Sequence, residues 1–370
     1  MISDASIRYT RLQSLDLMRG LIMILLAAES CHLYSALHPV ATGKVSSSLI
    51  NQFFHHPWNG LRFWDLVQPA FMLMAGSAMY LSFHYKNMKG ISWSQNLKHI
   101  LFRCFKLFVF GTALHCVYAG KLVWELWNVL TQLSVTTLIA YLIIQRSVWF
   151  QILFSIALLL LTEFMYRFVL VPGFEQPFTE GKNFGSYMDT LLMGKINSDG
   201  WVAINIIPTA AHTIWGVLAG KLLISSKTWT YKIKLLVIAG LVGVMTGYLL
   251  DFSNITPIIK RISTSSFTLV SGGWVFLILA LIYWVTDIKN YNRYAWIFVV
   301  VGMNAIFIYL FFETVGVQWV NQTVGIFVKG FTSRVGVNPP IQEVLSALVT
   351  LVLEWYLCYW LYKRKIFFKL

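Results

Sequence analysis

Three observations predict an all-α fold, a polytopic bundle of about ten transmembrane helices with both termini in the cytoplasm. The chain is 57% hydrophobic and only 12% charged, with a mean hydropathy of +0.65. A soluble domain carries about a quarter charged residues, so this surface is too poor in charge to face water alone. Apolar stretches about twenty residues long, enough for a helix to cross the hydrocarbon core, recur along the whole chain. The basic residues fall in alternate connections between those stretches.

In chain order, spans are expected over 17–36, 63–84, 98–118, 125–144, 147–169, 202–223, 232–250, 266–286, 294–313 and 341–362. Several contain Gly or Pro, which membrane helices tolerate when neighbours re-satisfy the backbone. The N-terminal tail, the 85–97, 145–147, 224–231 and 287–293 connections and the C-terminal tail hold most of the Lys and Arg. The opposite connections, 37–62, 170–201, 251–265 and 314–340, are longer and hold fewer, which places the basic side in the cytoplasm. The formal net charge of +14 is therefore spread through short clusters. Clusters of that kind suit anionic lipid headgroups and argue against nucleic acid as a partner. Cys31, Cys104, Cys116 and Cys358 lie in apolar runs without metal-ligand spacing, so they read as packing residues and no metal is expected. No cleavable signal, internal repeat or separate soluble domain is expected.

Ionisable groups inside a span mark functional candidates, because burying them costs at least a few kcal/mol. Glu29 falls midway along the first span, with Ser30 beside it and His32 three residues on, expected on the same helical face. They form either a structural pair or a site open to the first long connection. That connection carries His55, His56, Trp58, Asn59 and Asp65 just before the second span. A histidine exchanges a proton near neutral pH, and a carboxylate such as Asp65 fixes its tautomer and orientation. Pro69, Gly76, Ser77 and Ala78 follow as small residues suited to close helix contact. His115, His212, Asn304 and Glu313 are further polar groups in or at the ends of spans. Trp58, Trp64 and Trp201 are placed either to stack on a sugar ring or to anchor at the membrane interface.

RLQSLDLMRGLIMILL (11–26) and HHPWNGLRFWDLVQPAFMLMAG (55–76) are joined by GVLAGKLL (216–223), GMNAIFIYLFFE (302–313) and LYKRKIFFKL (361–370). Together and in this order they resemble heparan-α-glucosaminide N-acetyltransferase and its bacterial relatives. The resemblance covers nearly the whole chain and rests most on RxxSLDxxRG paired with HxxWNGxxxxDLVxP. It implies one transmembrane acyltransferase domain over 1–370, in a bacterial inner membrane, passing an acetyl group from cytoplasmic acetyl-CoA to an amino sugar or glycan on the far side. The family's active histidine stands first in HxxWNG, which is His55. Two positions depart from the family pattern: Ser30 stands where an asparagine is expected, and Phe312 where a histidine precedes Glu313.

On that reading His55 is a general base or a transient acyl carrier, with Asp65, Glu29 and Ser30 completing the catalytic set. Arg11, Arg19, Lys106 and Lys221 near the basic side are expected to hold the phosphates of CoA, unless they only serve orientation. Trp58, Asn59, His32 and Asn304 are expected around the acceptor. The resemblance also admits a homodimer. The rival reading is a proton-coupled transporter of a small sugar or cell-wall fragment. In it Glu29, His32 and Asp65 would couple protons to movement, and paired broken helices with internal symmetry would be expected.

Overall fold

A computed structural model describes residues 12–368, so Arg11 lies outside the described residues. The helices in order are α1 (Gln13–Ser30), α2 (Leu33–Leu37), α3 (Lys44–Asn51), α4 (Val67–Met88), α5 (Trp93–Ala119), α6 (Val129–Leu142), α7 (Val148–Phe168) and α8 (Phe184–Met193). They continue as α9 (Ile206–Ile224), α10 (Trp229–Phe252), α11 (Ser265–Tyr283), α12 (Ala295–Gly302), α13 (Ala305–Phe311), α14 (Asn321–Arg334) and α15 (Pro339–Lys363). Among the described residues the only β pairing is an isolated bridge between Asn59 and Ile259. The all-helical prediction holds.

By length and apolarity seven helices among the described residues can cross a membrane, or eight if the bent α12–α14 stretch is one span. The ten expected spans each meet helix, but two fall short on those grounds. The first, α1, has 18 residues and carries Asp16, Arg19 and Glu29; α6 has 14 residues. The expected span over 294–313 meets a bent pair: the chain breaks between Gly302 and Ala305 and turns by 76°. Asn304 sits at that break. Its side chain donates to the Ile366 carbonyl at 2.9 Å and accepts from the Phe368 amide at 2.8 Å, so the break clasps the C-terminal segment. Beyond Phe311 the helix widens to π geometry over Phe312–Val320 before α14 begins.

Connections alternate along the bundle. Those after α1, α5, α7 and α10 are long and lie at one end, while α4–α5, α6–α7 and α9–α10 are joined at the other end by short turns. Lys86, Lys89, Arg146 and Lys227 belong to the short-turn end. Ser92, Asn128, Ser147, Thr228 and Thr264 cap the helices that follow them, each accepting from an amide of the first turn. Such caps satisfy amides left without partners at a helix start.

The centre of the bundle is α4 packed along α9. A Cβ at Gly76 would strike the Thr213 carbonyl, and one at Gly216 the Leu73 carbonyl. The two backbones therefore touch, and Ser77 Oγ donates to the Gly216 carbonyl at 2.9 Å. The close contact expected of these small residues is present. Around this pair α5, α7, α10 and α15 turn apolar side chains outward, among them Phe102, Phe105, Leu153, Leu160, Met245, Leu249 and Val352. An exposed apolar belt is what lipid-facing helices need. The chain is a multi-pass membrane protein.

Gly216→Leu should lower stability by about 1–3 kcal/mol, because the added side chain has backbone in its way. Thermal melting in detergent checks this, and an unchanged midpoint would contradict the packing.

Candidate active site

Before α4 the chain makes a tight turn of four residues, Phe63–Leu66. Asp65 in that turn is fully buried, and its Oδ2 accepts from the amides of Arg62 at 2.9 Å and His56 at 3.3 Å. The Arg62 guanidinium reaches back to the His55 carbonyl at 3.0 Å. These bonds fold residues 55–65 around one carboxylate. Gly60 has φ +142, and a Cβ there would press on the His56 ring. Its amide donates to the Ile258 carbonyl at 2.8 Å, fixing the loop to the segment before α11.

That segment is itself stiff. Thr264 Oγ1 donates to the Pro257 carbonyl at 2.7 Å and accepts from the Ile259 amide at 3.0 Å, while Ser266 Oγ donates to Pro257 at 2.7 Å. It delivers Lys260 into the loop. Asp65 Oδ1 lies 2.9 Å from His55 Nδ1, and Lys260 Nζ lies 3.0 Å from the same nitrogen and 3.6 Å from that oxygen. The Trp201 ring meets the His55 ring edge-on at 5.6 Å and lies 5.5 Å from the Lys260 ammonium. Burial drives the His55 pKa down to about 4, helped by the Lys260 cation and opposed by Asp65. Burial also brings Lys260 down to about 8 against the pull of Asp65 and Glu29.

His55 and Lys260 open onto a cavity of about 350 Å³. Glu29 of α1, Trp64, Asn197, Asp199 and Trp201 line it as well. Gln68 and Phe71 of α4, Gln132 of α6, Tyr309 of α13 and His115 of α5 line the remainder. Gln68 and Gln132 hydrogen-bond across it. His115 pairs with Glu125 at 2.8 Å, whose other oxygen holds Lys195 at 2.6 Å. Among the described residues no group of three or more His, Cys, Asp or Glu is placed to hold a metal.

The structure brings His55, Asp65 and Glu29 to one place, as the sequence suggests. Ser30 is buried behind the wall, its Oγ donating to Glu313 at 2.9 Å. Glu313 also accepts from Tyr118 at 2.6 Å, and Phe312 is fully buried in the core. His32 does not share a helical face with Glu29: α1 ends at Ser30, and His32 has φ 61 and is exposed. Trp58 packs away from the cavity, its indole donating to the Phe178 carbonyl at 2.8 Å, and Asn59 is exposed in the bridge to Ile259. Asn304 is the clasp at the α12–α13 break.

Arg19 pairs with Asp16 at 2.8 Å, Lys221 donates to the Arg146 carbonyl at 3.0 Å, and Lys106 covers the Phe102 ring. None of these three lines the cavity. Lys260, Tyr309, Asn197 and Asp199 are cavity residues the sequence reading missed. For Lys260 a signal existed: with Arg261 it is a basic pair in a connection where the charge rule expects few.

The sequence profile of the heparan-alpha-glucosaminide N-acetyltransferase catalytic family matches residues 11–247. The heparan-alpha-glucosaminide N-acetyltransferases of Homo sapiens and Mus musculus are each 24% identical to this chain over 97% of its length. The chain spans only 60% of the length of either relative. The match takes in the Asp65 turn, the HxxWNG loop and the α4–α9 core, and on that extent the chain belongs to the heparan-alpha-glucosaminide N-acetyltransferase catalytic family.

Proposed function

We propose that this chain is a transmembrane acetyltransferase that takes an acetyl group from acyl-CoA at the short-turn, basic end. It passes that group to the amine of a sugar or glycan at the long-loop end. One observation carries the reading: His55 is held by a buried carboxylate on the wall of a cavity. The short-turn end collects the Lys and Arg, which supports a cytoplasmic placement for it, both termini there, and residence in an inner membrane. On this topology α1 and α6 also cross, giving ten spans.

Nδ1 of His55 is engaged by Asp65 and Lys260, which leaves Nε2 for the reactants. An imidazole oriented by a carboxylate in this way serves as a general base, or as the nucleophile that carries the acyl group. Burial keeps the ring neutral down to about pH 4, so it is uncharged throughout the neutral range. Glu29 and Asp199 supply negative charge for an ammonium acceptor, and Trp201 and Trp64 supply flat apolar surface for a sugar face. Ser30 and Glu313 support α1 from behind. Arg19, Lys106 and Lys221, with Arg11, are the cations toward the basic end for the diphosphate and 3′-phosphate of CoA.

Replacing His55 by Ala should cut acetyl transfer by about 10²–10⁴-fold while CoA binding persists. Turnover in detergent with acetyl-CoA and a glucosamine-bearing acceptor reads the first, and equilibrium binding the second. Full activity in the variant would remove His55 from the chemistry. Sealed vesicles given labelled acetyl-CoA on the basic face should accumulate acetylated sugar on the other, with CoA staying where it was added. Movement of unmodified sugar with no acetylation would favour the transporter reading instead.

A further inference from the structure

His55 Nδ1 has two partners and at most one proton. A charged Lys260 can only donate, so at 3.0 Å it directs an N–H to a bare Nδ1, and the neutral ring then carries its proton on Nε2. A free Lys260 amine makes no such demand. Nδ1 then keeps its proton and donates to Asp65 at 2.9 Å, and the lone pair moves to Nε2. We propose that Lys260 is a positioning residue that sets the tautomer of His55 and receives the ring's surplus proton during acyl transfer.

The step balances within the triad. As the acceptor nitrogen bonds the acetyl carbon, the carbon–sulfur bond to CoA breaks and its electron pair leaves on the CoA sulfur; Nε2 takes the proton shed by the amine, the Nδ1–H bond breaks and a new N–H bond forms on Lys260 Nζ. The ring ends neutral and the charge rests on Lys260, 3.6 Å from the Asp65 carboxylate. Burial weakens both bases, but Lys260 falls to about 8 while His55 falls to about 4, so the amine is the stronger of the two. The charged groups facing Lys260 are Asp65 and Glu29, which favour its cation, and Arg261 and a protonated His55, which oppose it. The Lys260 side chain is 6% exposed, and the stiff Pro257–Thr264 turn holds its backbone. Lys260 also lies beyond the 11–247 stretch matched to the family.

The inference rests on His55 as the reacting group. The test compares wild type with Lys260→Met, Lys260→Arg and His55→Ala over neutral to alkaline pH, using acetyl-CoA and a glucosamine-bearing acceptor. Nε2 is free only when Lys260 has lost its proton, so wild-type kcat/KM should climb to a plateau with its midpoint near about 8. Lys260→Met should lose that climb and drop the plateau at least about tenfold, and Lys260→Arg, which keeps the charge but cannot release the proton, should do no better. The acceptor's own amine titrates in this range, so kcat/KM is expressed per unprotonated acceptor, which removes that limb from every profile.

A Lys260→Arg enzyme with wild-type rate and profile would overturn the proposal, since charge alone would then suffice. A flat wild-type profile would overturn it without any variant, which covers the case in which Lys260→Met fails to fold. An inactive His55→Ala beside a Lys260→Met enzyme of wild-type profile sinks the relay alone, whereas an active His55→Ala sinks the base reading beneath it.

Discussion

The site depends on satisfying one buried carboxylate. Asp65 is cut off from water at the start of α4, and a charge in that position is costly unless hydrogen bonds and an opposite charge surround it. Two amides of its own loop, the His55 imidazole and Lys260 meet that need. Meeting it draws together two connections that are far apart in the chain and sets the ring of His55 against the cavity. Without those contacts the HxxWNG loop would keep only its ties through Gly60, Trp58 and Arg62.

Much of this was legible beforehand, because it is local. Asp65 lies ten residues after His55, close enough for sequence to suggest a carboxylate orienting an imidazole. The long apolar runs marked α4, α5, α7, α9, α10, α11 and α15 directly. Other features were hidden for physical reasons. Lys260 meets His55 across 205 residues of chain, and no local pattern encodes such a contact. His32 follows Glu29 at helical spacing, yet the helix stops at Ser30 and the left-handed turn at His32 sends it outward. The break at Asn304 depends on a clasp with the C-terminal segment rather than on any Pro in the span. Cations near the basic end looked equivalent in the sequence, but in the fold Arg19, Lys106 and Lys221 each have a partner of their own.

The loss of a helix-breaking signal at the ninth span has a counterpart at the first. Three charged residues in α1 kept it below the apolarity of a membrane helix, and two of them pair across one turn as Asp16 and Arg19. Glu29 is the third, and it is spent on the cavity. Composition penalises a helix for carrying the groups that give it a task, so a span can look less like a span the more chemistry it holds.

The contact between α4 and α9 has a consequence for how this scaffold can vary. The Asp65 turn leads directly into α4, and α4 is locked to α9 by backbone touching backbone at Gly76 and Gly216. The cavity is also lined by His115, Gln132 and Tyr309, from helices outside that interlock. Chemistry and capacity are thus borne by different pieces. A lineage can widen or narrow its chamber by altering α5, α6 and α13 while the Asp65 turn and the α4–α9 contact stay in place.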